Sequence, residues 1–241
     1  MKPVLILRTG RAPDPIRARH GDFPHWFRLV AGLPRQRVRV VDVADGEELP
    51  PAQAVAGAII TGSSVMVTER LAWSERVAAW IRDGMDAELP LFGVCYGHQL
   101  MAYALGGRVD YLPGGREIGT QAIELSPGHE DDPLTRVLRG SFRAHTTHEQ
   151  SVLEPPPGAT ILGRSARDPH QLLRYGPNAI SVQFHPEFNA EVMRAYIRRK
   201  RADLRREGAD PEQIFRAVAA TPMARRVLRQ FGRLHQWNTG S

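Results

Sequence analysis

The sequence has very little cysteine and no long apolar run. Cys95 is the single cysteine among 241 residues, so no disulfide can form within the chain. We therefore expect a reducing, cytoplasmic setting. No stretch reaches the roughly 18 apolar residues that a membrane helix requires, and we expect no membrane contact. The short apolar run at Val4–Leu7 ends at Arg8 without a small-residue cleavage site, which favours a first buried strand over a signal peptide.

The sequence also lacks the ligand patterns of common metal and phosphate sites. It contains no HExxH motif, and His145 and His148, three residues apart, have no companion ligand set. The Gly-rich segments Gly106-Gly107 and Pro113-Gly114-Gly115 are too short for a phosphate-binding loop and are interpreted as turns. We expect neither a metal nor a cofactor.

The charge is basic, with a formal net charge of +6 and a pI near 10.1. The densest basic run is RAYIRRKRADLRREG at residues 194–208. No zinc-finger spacing, RNP-like aromatic motif or evident recognition helix accompanies it. The run therefore favours a solvated helix face, and nucleic acid is not an expected partner.

The first part of the chain alternates β-branched runs with amphipathic stretches, a pattern typical of an α/β fold with a mainly parallel sheet between helices. Apolar residues at helical spacing predict a helix over Trp73–Met85. The predicted strands in this part are Val4–Leu7, Val38–Val43, Ala58–Thr61 and Leu91–Val94.

After Gly107 the strand-like runs follow one another closely, separated by turn sequences such as EPPPG and YGPN. This pattern predicts a mixed or partly antiparallel extension of the sheet. The predicted strands are Arg108–Leu112, Gly119–Leu125, Ala159–Ser165, Gln171–Tyr175 and Ala179–Phe184.

The last part of the chain is helical in character. Three helices are predicted, over Ala190–Arg206, Pro211–Ala219 and Met223–His235, the second of which begins after Asp210. We expect a main domain at residues 1–188 and a helical C-terminal extension at 189–241 packed on it.

A nucleophile motif lies in the middle of the chain. The predicted strand Leu91–Val94 runs into Gly93-Val94-Cys95-Tyr96-Gly97, and a helix follows that stops at Gly106-Gly107. This is the G-x-nucleophile-x-G pattern with cysteine as the nucleophile. At the N-terminus of a helix, free N–H groups and the positive dipole end favour thiolate over thiol, and the Tyr96 amide can stabilise an oxyanion.

A thiolate nucleophile needs a proton donor and acceptor, most often a histidine held by a third group. The chain has nine histidines, and His185 differs from the others because it ends the strand-like run AISVQF. In an α/β sheet, residues at the carboxyl ends of strands face the crevice in which ligands bind. Glu187 follows two residues later, after Pro186 has fixed the backbone turn, so it can orient the imidazole.

These motifs together resemble the class I glutamine amidotransferases, especially the amidotransferase domain of GMP synthetase and its free-standing relatives. The resemblance spans about Ala58 to Phe188. It is carried by three segments, AIITGSS, GVCYGHQ and QFHPEF. It implies a flavodoxin-like sheet, a γ-glutamyl thioester on Cys95, and release of ammonia from a glutamine side chain.

The resemblance also implies roles for single residues. His185 would be the base and acid, Glu187 would orient it, Gly62 would supply a second oxyanion amide beside Tyr96, and Gln99 would help hold glutamine. Family members often carry Gly-Gly-Pro where this chain has Thr61-Gly62-Ser63, but one glycine at the critical amide leaves the oxyanion role open.

Two further segments match the family. Arg116-Glu117-Ile118-Gly119 resembles an Arg-Glu-aromatic-Gly segment, and the stretch HTTHEQSV at 145–152 stands where relatives have a His-rich loop facing the glutamine pocket. His148 is the better pocket candidate of the two histidines, and a solvated loop histidine is the alternative.

The leading hypothesis is cysteine-dependent hydrolysis of the glutamine side-chain amide, with ammonia passed to an acceptor. No ATP-pyrophosphatase or other synthetase domain occurs in the sequence, so a separate synthetase or acceptor protein is an expected partner, and self-association is left open. The first alternative is a γ-glutamyl amine or peptide hydrolase with the same triad. The second is a catalytically silent protein with a regulatory or scaffold role.

Overall fold

The computed structural model describes residues 1–138 and 140–238. These residues form a nine-stranded sheet with strand order β2-β1-β3-β4-β11-β10-β9-β6-β7, and a separate pair formed by β5 and β8. The strands are β1 (Val4–Arg8), β2 (Val38–Asp42), β3 (Gly57–Ile60), β4 (Leu91–Val94), β5 (Arg108–Tyr111), β6 (Glu117–Leu125), β7 (Ser141–His148), β8 (Gln150–Glu154), β9 (Thr160–Arg164), β10 (Leu172–Gly176) and β11 (Ala179–Val182).

Helices cover both faces of the sheet, so the chain has the expected flavodoxin-like, mainly parallel α/β architecture. One buried apolar cluster lies on each face. The helices are α1 (Asp14–His20), α2 (Phe23–Ala31), α3 (Ala72–Asp86), α4 (Tyr96–Ala104), α5 (Ala190–Arg199), α6 (Arg201–Arg206), α7 (Pro211–Arg216) and α8 (Pro222–Leu234).

The parallel part of the sheet fixes where the site forms. Strands β2, β1, β3, β4 and β11 pair in parallel. Ile60 of β3 lies opposite Gly93, and Val182 of β11 lies opposite Val94. The segments that follow β3, β4 and β11 therefore leave the sheet at the same edge, which is the edge where ligands bind in such sheets.

The second half of the sheet is antiparallel, as the closely spaced strand runs predict. Strands β11, β10, β9 and β6 each pair antiparallel with the next strand in the sheet order, which ends at β7. The segment interpreted as a His-rich loop is not a loop, because His145 and His148 lie on β7 and the following residues form β8. Cross-strand pairing with Glu117 to Glu124 keeps this segment extended.

Two helices near the N-terminus were not predicted. Helix α2 begins at the N-cap Asp22, whose side chain accepts a hydrogen bond from the Phe23 amide, and buries Trp26, Phe27 and Val30 against the sheet. The predicted helix over Ala190–Arg206 is two helices, α5 and α6, because Lys200, with φ −91° and ψ 11°, interrupts the helical backbone.

The C-terminal helices share the core of the sheet. Val192 of α5 and Phe231 of α8 belong to the same apolar cluster as Val4 and Ile59. Trp237, just beyond α8, is fully buried, and its indole N–H donates to the Ala56 carbonyl at 3.2 Å. The division at residue 188 remains a prediction. None of the helices in the described residues is long and apolar enough to cross a membrane.

Candidate active site

Cys95 lies on a strained turn between β4 and α4. Its backbone has φ 53° and ψ −104°, a conformation that residues with a Cβ rarely adopt. The turn is held from both sides, since the Cys95 amide donates to the Val182 carbonyl at 2.9 Å and the Gly97 amide donates to the Thr61 carbonyl at 3.1 Å. The side chain is thereby fixed at the N-terminus of α4.

The two glycines that flank this turn are required by close packing. A Cβ at Gly93 would lie 2.6 Å from the Gly97 carbonyl oxygen, and a Cβ at Gly97 would overlap the Ile60 carbonyl oxygen. Helix α4 therefore crosses strands β3 and β4 at backbone contact distance. A side chain at either glycine would push α4 away from the strands and displace the turn that carries Cys95.

His185 and Glu187 follow β11 and meet directly. The His185 Nδ1 atom lies 2.7 Å from the Glu187 Oε1 atom, and both side chains are buried. The His185 amide donates to the His145 carbonyl at 2.7 Å, which anchors the turn to β7. The other ring nitrogen, Nε2, is buried without a hydrogen-bond partner among the described residues, and can therefore exchange a proton with Cys95 or a bound molecule.

Aromatic side chains fix the plane of the His185 ring. Phe188 stacks on it with ring centroids 4.1 Å apart and an angle of 12°. Tyr196 of α5 stacks in turn on Phe188 at 5.0 Å, and Phe23 lies 6.5 Å from His185. These aromatic residues were missed in the sequence. The only signal for Phe188 was its place directly after the His-Pro-Glu segment.

The electrostatics of the pair favour a thiolate and an imidazolium. Burial alone would raise the pKa of Cys95, but the charge and contact of His185, with a smaller effect of His148, lower it below its usual value. Burial works against protonation of His185, but the negative charges of Glu187 and Cys95 raise its pKa to about 10. These interactions shift the pair toward a Cys95 thiolate and a protonated His185.

Gly62 lies beside the reacting pair. A Cβ built on it would be 3.1 Å from His185 Cε1 and 3.7 Å from the Cys95 Cβ. The Thr61 carbonyl accepts from the Gly97 amide at 3.1 Å. The peptide between Thr61 and Gly62 is planar and trans, so the Gly62 N–H points in the opposite direction to the Thr61 carbonyl. It therefore takes no part in the hydrogen bond between Thr61 and Gly97.

Tyr96 is the first residue of α4, so its amide has no intrahelical acceptor. Its phenol is turned away from the thiol and lies 2.6 Å from the Ser74 hydroxyl on α3. Burial raises the pKa of this phenol to about 12. The side chain of Tyr96 therefore anchors the helix, and only its amide is available to a bound molecule.

A pocket of about 280 Å³ opens above Cys95 and His185. Gln99 of α4 reaches its wall, and its side-chain nitrogen donates to the Gln150 carbonyl at 2.6 Å and to the Gln183 side chain at 3.0 Å. The pocket lining also includes Arg11, Phe23, Ser63, Ser64, Val65, Met66, Arg116, Thr147, His148, Glu149, Tyr196, Arg199 and Lys200.

One wall of the pocket comes from the C-terminal helices and is basic. Arg116, almost fully buried, forms ion pairs with Glu149 at 2.7 Å and with Glu207 at 3.0 Å, and so joins the strand region to the helix region. Lys200 lies 3.7 Å from the same Glu149, and burial together with the charge of Arg116 lowers the pKa of Lys200. Arg199, at the rim, forms no ion pair among the described residues.

His148, at the end of β7, also lines the pocket and does not lie in a solvated loop. It is buried, its Nδ1 lies 2.9 Å from the Gln150 carbonyl, and its Nε2 lies 3.0 Å from Glu117 Oε2. Both ring nitrogens are thus engaged by the protein itself. Within residues 1–138 and 140–238, no group of three or more His, Cys, Asp or Glu side chains is arranged to hold a metal ion.

The family model for class I glutamine amidotransferases matches residues 35–203. A GMP synthase of Thermomicrobium roseum is 34% identical over 131 residues, which are 54% of this chain and 23% of that protein. Gamma-glutamyl peptidase 4 of Arabidopsis thaliana is 28% identical over 198 residues, 80% of this chain and 78% of that protein. The chain spans between 19% and 61% of the length of the first curated relatives it matches.

Solved structures show the same fold. A glutamine amidotransferase of Thermotoga maritima superposes with a TM-score of 0.74 at 22% identity, covering 99% of both chains. That coverage includes the C-terminal helices, so the whole described architecture recurs in a known protein.

Proposed function

The chain belongs to the class I glutamine amidotransferases, and from that premise we propose that it hydrolyses the γ-amide bond of glutamine or a γ-glutamyl compound through a thioester on Cys95. The observation that carries the proposal is the alignment of Cys95, His185 and Glu187 at one edge of the parallel sheet. The charges and contacts within this group favour the thiolate and imidazolium forms that the chemistry requires, against the effect of burial.

In the first half of the reaction, the Cys95 thiolate attacks the δ-carbonyl carbon. The carbonyl oxygen becomes an oxyanion, which the amides of Gly62 and Tyr96 stabilise. His185 donates its proton from Nε2 to the leaving nitrogen, and the carbon–nitrogen bond breaks. Ammonia or an amine departs, and a γ-glutamyl thioester remains on Cys95.

In the second half, neutral His185 removes a proton from water, and the resulting hydroxide attacks the thioester carbonyl. The carbon–sulfur bond breaks, glutamate leaves, and the thiolate–imidazolium pair is restored. Glu187 holds the ring in one tautomer and supports its positive charge through both steps. Gln99 and His148 shape the pocket wall around the glutamyl group.

Glutamine, with ammonia as the product for an acceptor, is the first substrate we propose. The acceptor site would then lie on a separate protein. The similarity to one component of a glutamine-hydrolysing GMP synthase of Ignicoccus hospitalis, 38% identical over 110 residues, supports this arrangement. A cytoplasmic location belongs to the same proposal. Self-association through the C-terminal helices is left open.

A γ-glutamyl peptide or amine is the second candidate substrate. Two observations favour it. The basic rim at Arg199 and Lys200 offers cations to a carboxylate beyond the scissile bond, and a gamma-glutamyl peptidase aligns over 78% of its own length.

The test compares purified wild type with Cys95→Ala on glutamine, γ-glutamylglycine and γ-glutamylmethylamide, measuring glutamate and the released amine. Release of ammonia from glutamine that disappears in the variant supports the first substrate. Release from the dipeptide alone, also lost in the variant, assigns the second. Hydrolysis that persists in Cys95→Ala contradicts the proposal.

A further inference from the structure

A buried ionic cluster lies directly behind the pocket wall, and His148 is the member that lines the same pocket as Cys95. Its Nδ1 lies 2.9 Å from the Gln150 carbonyl oxygen. A carbonyl oxygen only accepts hydrogen bonds, so Nδ1 must carry a hydrogen. Its Nε2 lies 3.0 Å from Glu117 Oε2, so it also carries a hydrogen if Glu117 is ionised.

Three hydrogen-bond donors converge on the Glu117 carboxylate. In addition to His148, the Gln171 side-chain nitrogen lies 2.8 Å from Oε2, and the Ser165 hydroxyl lies 2.6 Å from Oε1. An ionised carboxylate has acceptors for all three donors. Glu117 is therefore the anion of the cluster.

A second buried carboxylate reinforces the arrangement. Asp168 Oδ2 lies 3.9 Å from His148 Nε2, and Asp168 accepts from the Ser151 hydroxyl at 2.5 Å and from the His170 amide at 2.9 Å. Two acids thus face one imidazole in a region shielded from water. In this setting the imidazole is held in its charged form, because a buried anion needs a positive partner.

We propose that His148 is a permanent imidazolium cation that stabilises the Cys95 thiolate from the pocket wall. The inference rests on the proposed function, since it takes Cys95 as the nucleophile. It makes His148 a positioning residue, because both of its N–H groups are used by the protein and it acts on the substrate through the sulfur.

The charges around His148 agree with its assignment as an imidazolium. Burial acts against its protonation, but the hydrogen bond to Glu117 and the charges of Asp168 and Glu117, with that of Cys95, raise the pKa of His148. His98, on the neighbouring helix α4, is neutral, since burial first and then the charges of His148 and His170 lower its pKa to about 3.

The Cys95 sulfur therefore has two positively charged neighbours, His185 and His148, which act differently in the reaction. His185 gives its proton to the leaving nitrogen and recovers one from water. His148 keeps its protons throughout. While His185 is neutral, the sulfur is part of the thioester and His148 remains its positive neighbour. His148 then helps to stabilise the negative charge that develops on sulfur as the carbon–sulfur bond breaks.

The first test needs no variant and no substrate. In protein labelled with ¹⁵N-histidine and assigned through bonds, both ring nitrogens of His148 are expected in the protonated chemical-shift range at pH 8. A His148 ring with one unprotonated nitrogen at that pH overturns the proposal.

The second test measures the pKa of Cys95 from the pH dependence of its alkylation by iodoacetamide. His148→Gln is expected to raise that pKa by about one unit, which slows alkylation about tenfold on the acid side of the profile. His145→Gln is the matched control. It changes a buried histidine on the same strand that is neutral, because burial and nearby positive charges lower its pKa to about 4.

Glu117→Gln is the most discriminating variant, because the proposal and a simple loss of negative charge predict opposite changes in the pKa of the thiol. Removal of a negative charge alone would lower the pKa of the thiol. If Glu117 keeps His148 protonated, its loss discharges His148 and raises the pKa of the thiol instead. A lowered or unchanged value in Glu117→Gln, with circular dichroism showing a folded protein, overturns the proposal. Alkylation reads the thiol without turnover, so a low thiol pKa that depends on His148 supports this inference even if no γ-glutamyl substrate is hydrolysed.

Discussion

At the scale of single residues, Glu187 decides how His185 behaves. Its Oε1 lies 2.7 Å from Nδ1, and its Oε2 is buried without a partner among the described residues. The carboxylate is therefore committed to the imidazole. It fixes both the tautomer and the charge of that ring.

Glu187→Gln is expected to lower kcat/KM by roughly 10²–10⁴-fold while leaving the protein folded. Burial lowers the pKa of His185, and the negative charge of Glu187 is the largest of the effects that raise it. The alkaline limb of the kcat/KM profile is therefore expected to move to lower pH, which a pH profile of both proteins measures. Glu191→Gln, an exposed change on α5, is the control, and an alkaline limb that stays in place in Glu187→Gln would contradict the role given to Glu187.

The sequence predicted these residues because each stands in a short motif at the end of a strand. It did not predict the surroundings. Tyr196 and Lys200 reach the pocket only because α5 folds back over it, and no local pattern contains that information. The Arg116-Glu117 segment was recognised, but its ion pairs with distant residues could not be inferred from spacing.

At the scale of elements, the approach of α4 to β3 holds the nucleophile turn in place. Gly97→Ala would force a methyl group against the Ile60 carbonyl oxygen. We expect the free energy of unfolding to fall by about 1–3 kcal/mol, measured by urea denaturation.

Gly176→Ala is the matched control for that change. Gly176 lies at the end of β10, the nearest atom to a Cβ built there would be the Met85 Cε at 4.0 Å, and its φ is not in the left-handed region. An equal loss of stability in both variants would show that close packing is not the reason for glycine at position 97.

The basic wall is the second element-scale feature. Arg116→Met removes a cation with only 6% of its side chain exposed, and leaves Glu149 and Glu207 without it. Because Glu207 is partly exposed and screened by water, we expect a loss of about 1–2 kcal/mol in stability. The KM for γ-glutamyl substrates should rise more than kcat falls.

The control for the wall is Arg164→Met, which breaks an ion pair with Glu124 whose side chains are 65% and 61% exposed. Its effect on stability should be within about 0.5 kcal/mol. Steady-state kinetics and urea denaturation on both variants measure the difference. A kcat effect without a KM effect in Arg116→Met would contradict a wall that acts on binding.

Strand β7 shows why some elements escaped prediction. Its buried side chains include His145 and His148, which are polar and lie on opposite faces of the strand. The apolar alternation that usually marks a strand is therefore replaced by hydrogen bonds to Glu117, Thr120 and Gln150. No apolar alternation therefore marks this strand, and the loop was inferred from the family resemblance alone.

At the scale of the whole molecule, the α/β class and most strands followed from periodicity and turn sequences. The joining of a parallel half to an antiparallel half was also predicted. The strand order was not, because it depends on long-range pairings such as β4 with β11. The same pairing places Cys95 and His185 side by side.

The buried histidines make the molecule sensitive to acid. Burial first lowers the pKa of His98 to about 3 and of His145 to about 4, so both are neutral in the folded protein. Unfolded histidine titrates near 6.5. Below that pH the unfolded state binds two protons that the folded state does not. The free energy of unfolding therefore falls as the pH falls toward 4, by up to about 2.7 kcal/mol per pH unit.

Urea denaturation between pH 4.5 and 7.5 measures this slope. His145→Gln is expected to reduce it by about half, and His25→Gln, at an exposed position, should leave it unchanged. His185 and His148, whose pKa values are raised, add little slope below about pH 5.5, because unfolded histidine is also almost fully protonated there. A wild-type stability that does not fall between pH 6.5 and 4.5 would contradict this account.

The most direct test of the central claim is to trap the intermediate. Wild-type protein is mixed with glutamine or γ-glutamylglycine, quenched in acid within milliseconds to seconds, and analysed by intact mass and peptide mapping. We predict a γ-glutamyl adduct on Cys95 that hydroxylamine converts to γ-glutamyl hydroxamate. An adduct on another residue, or substrate turnover that continues in Cys95→Ala, would contradict the claim.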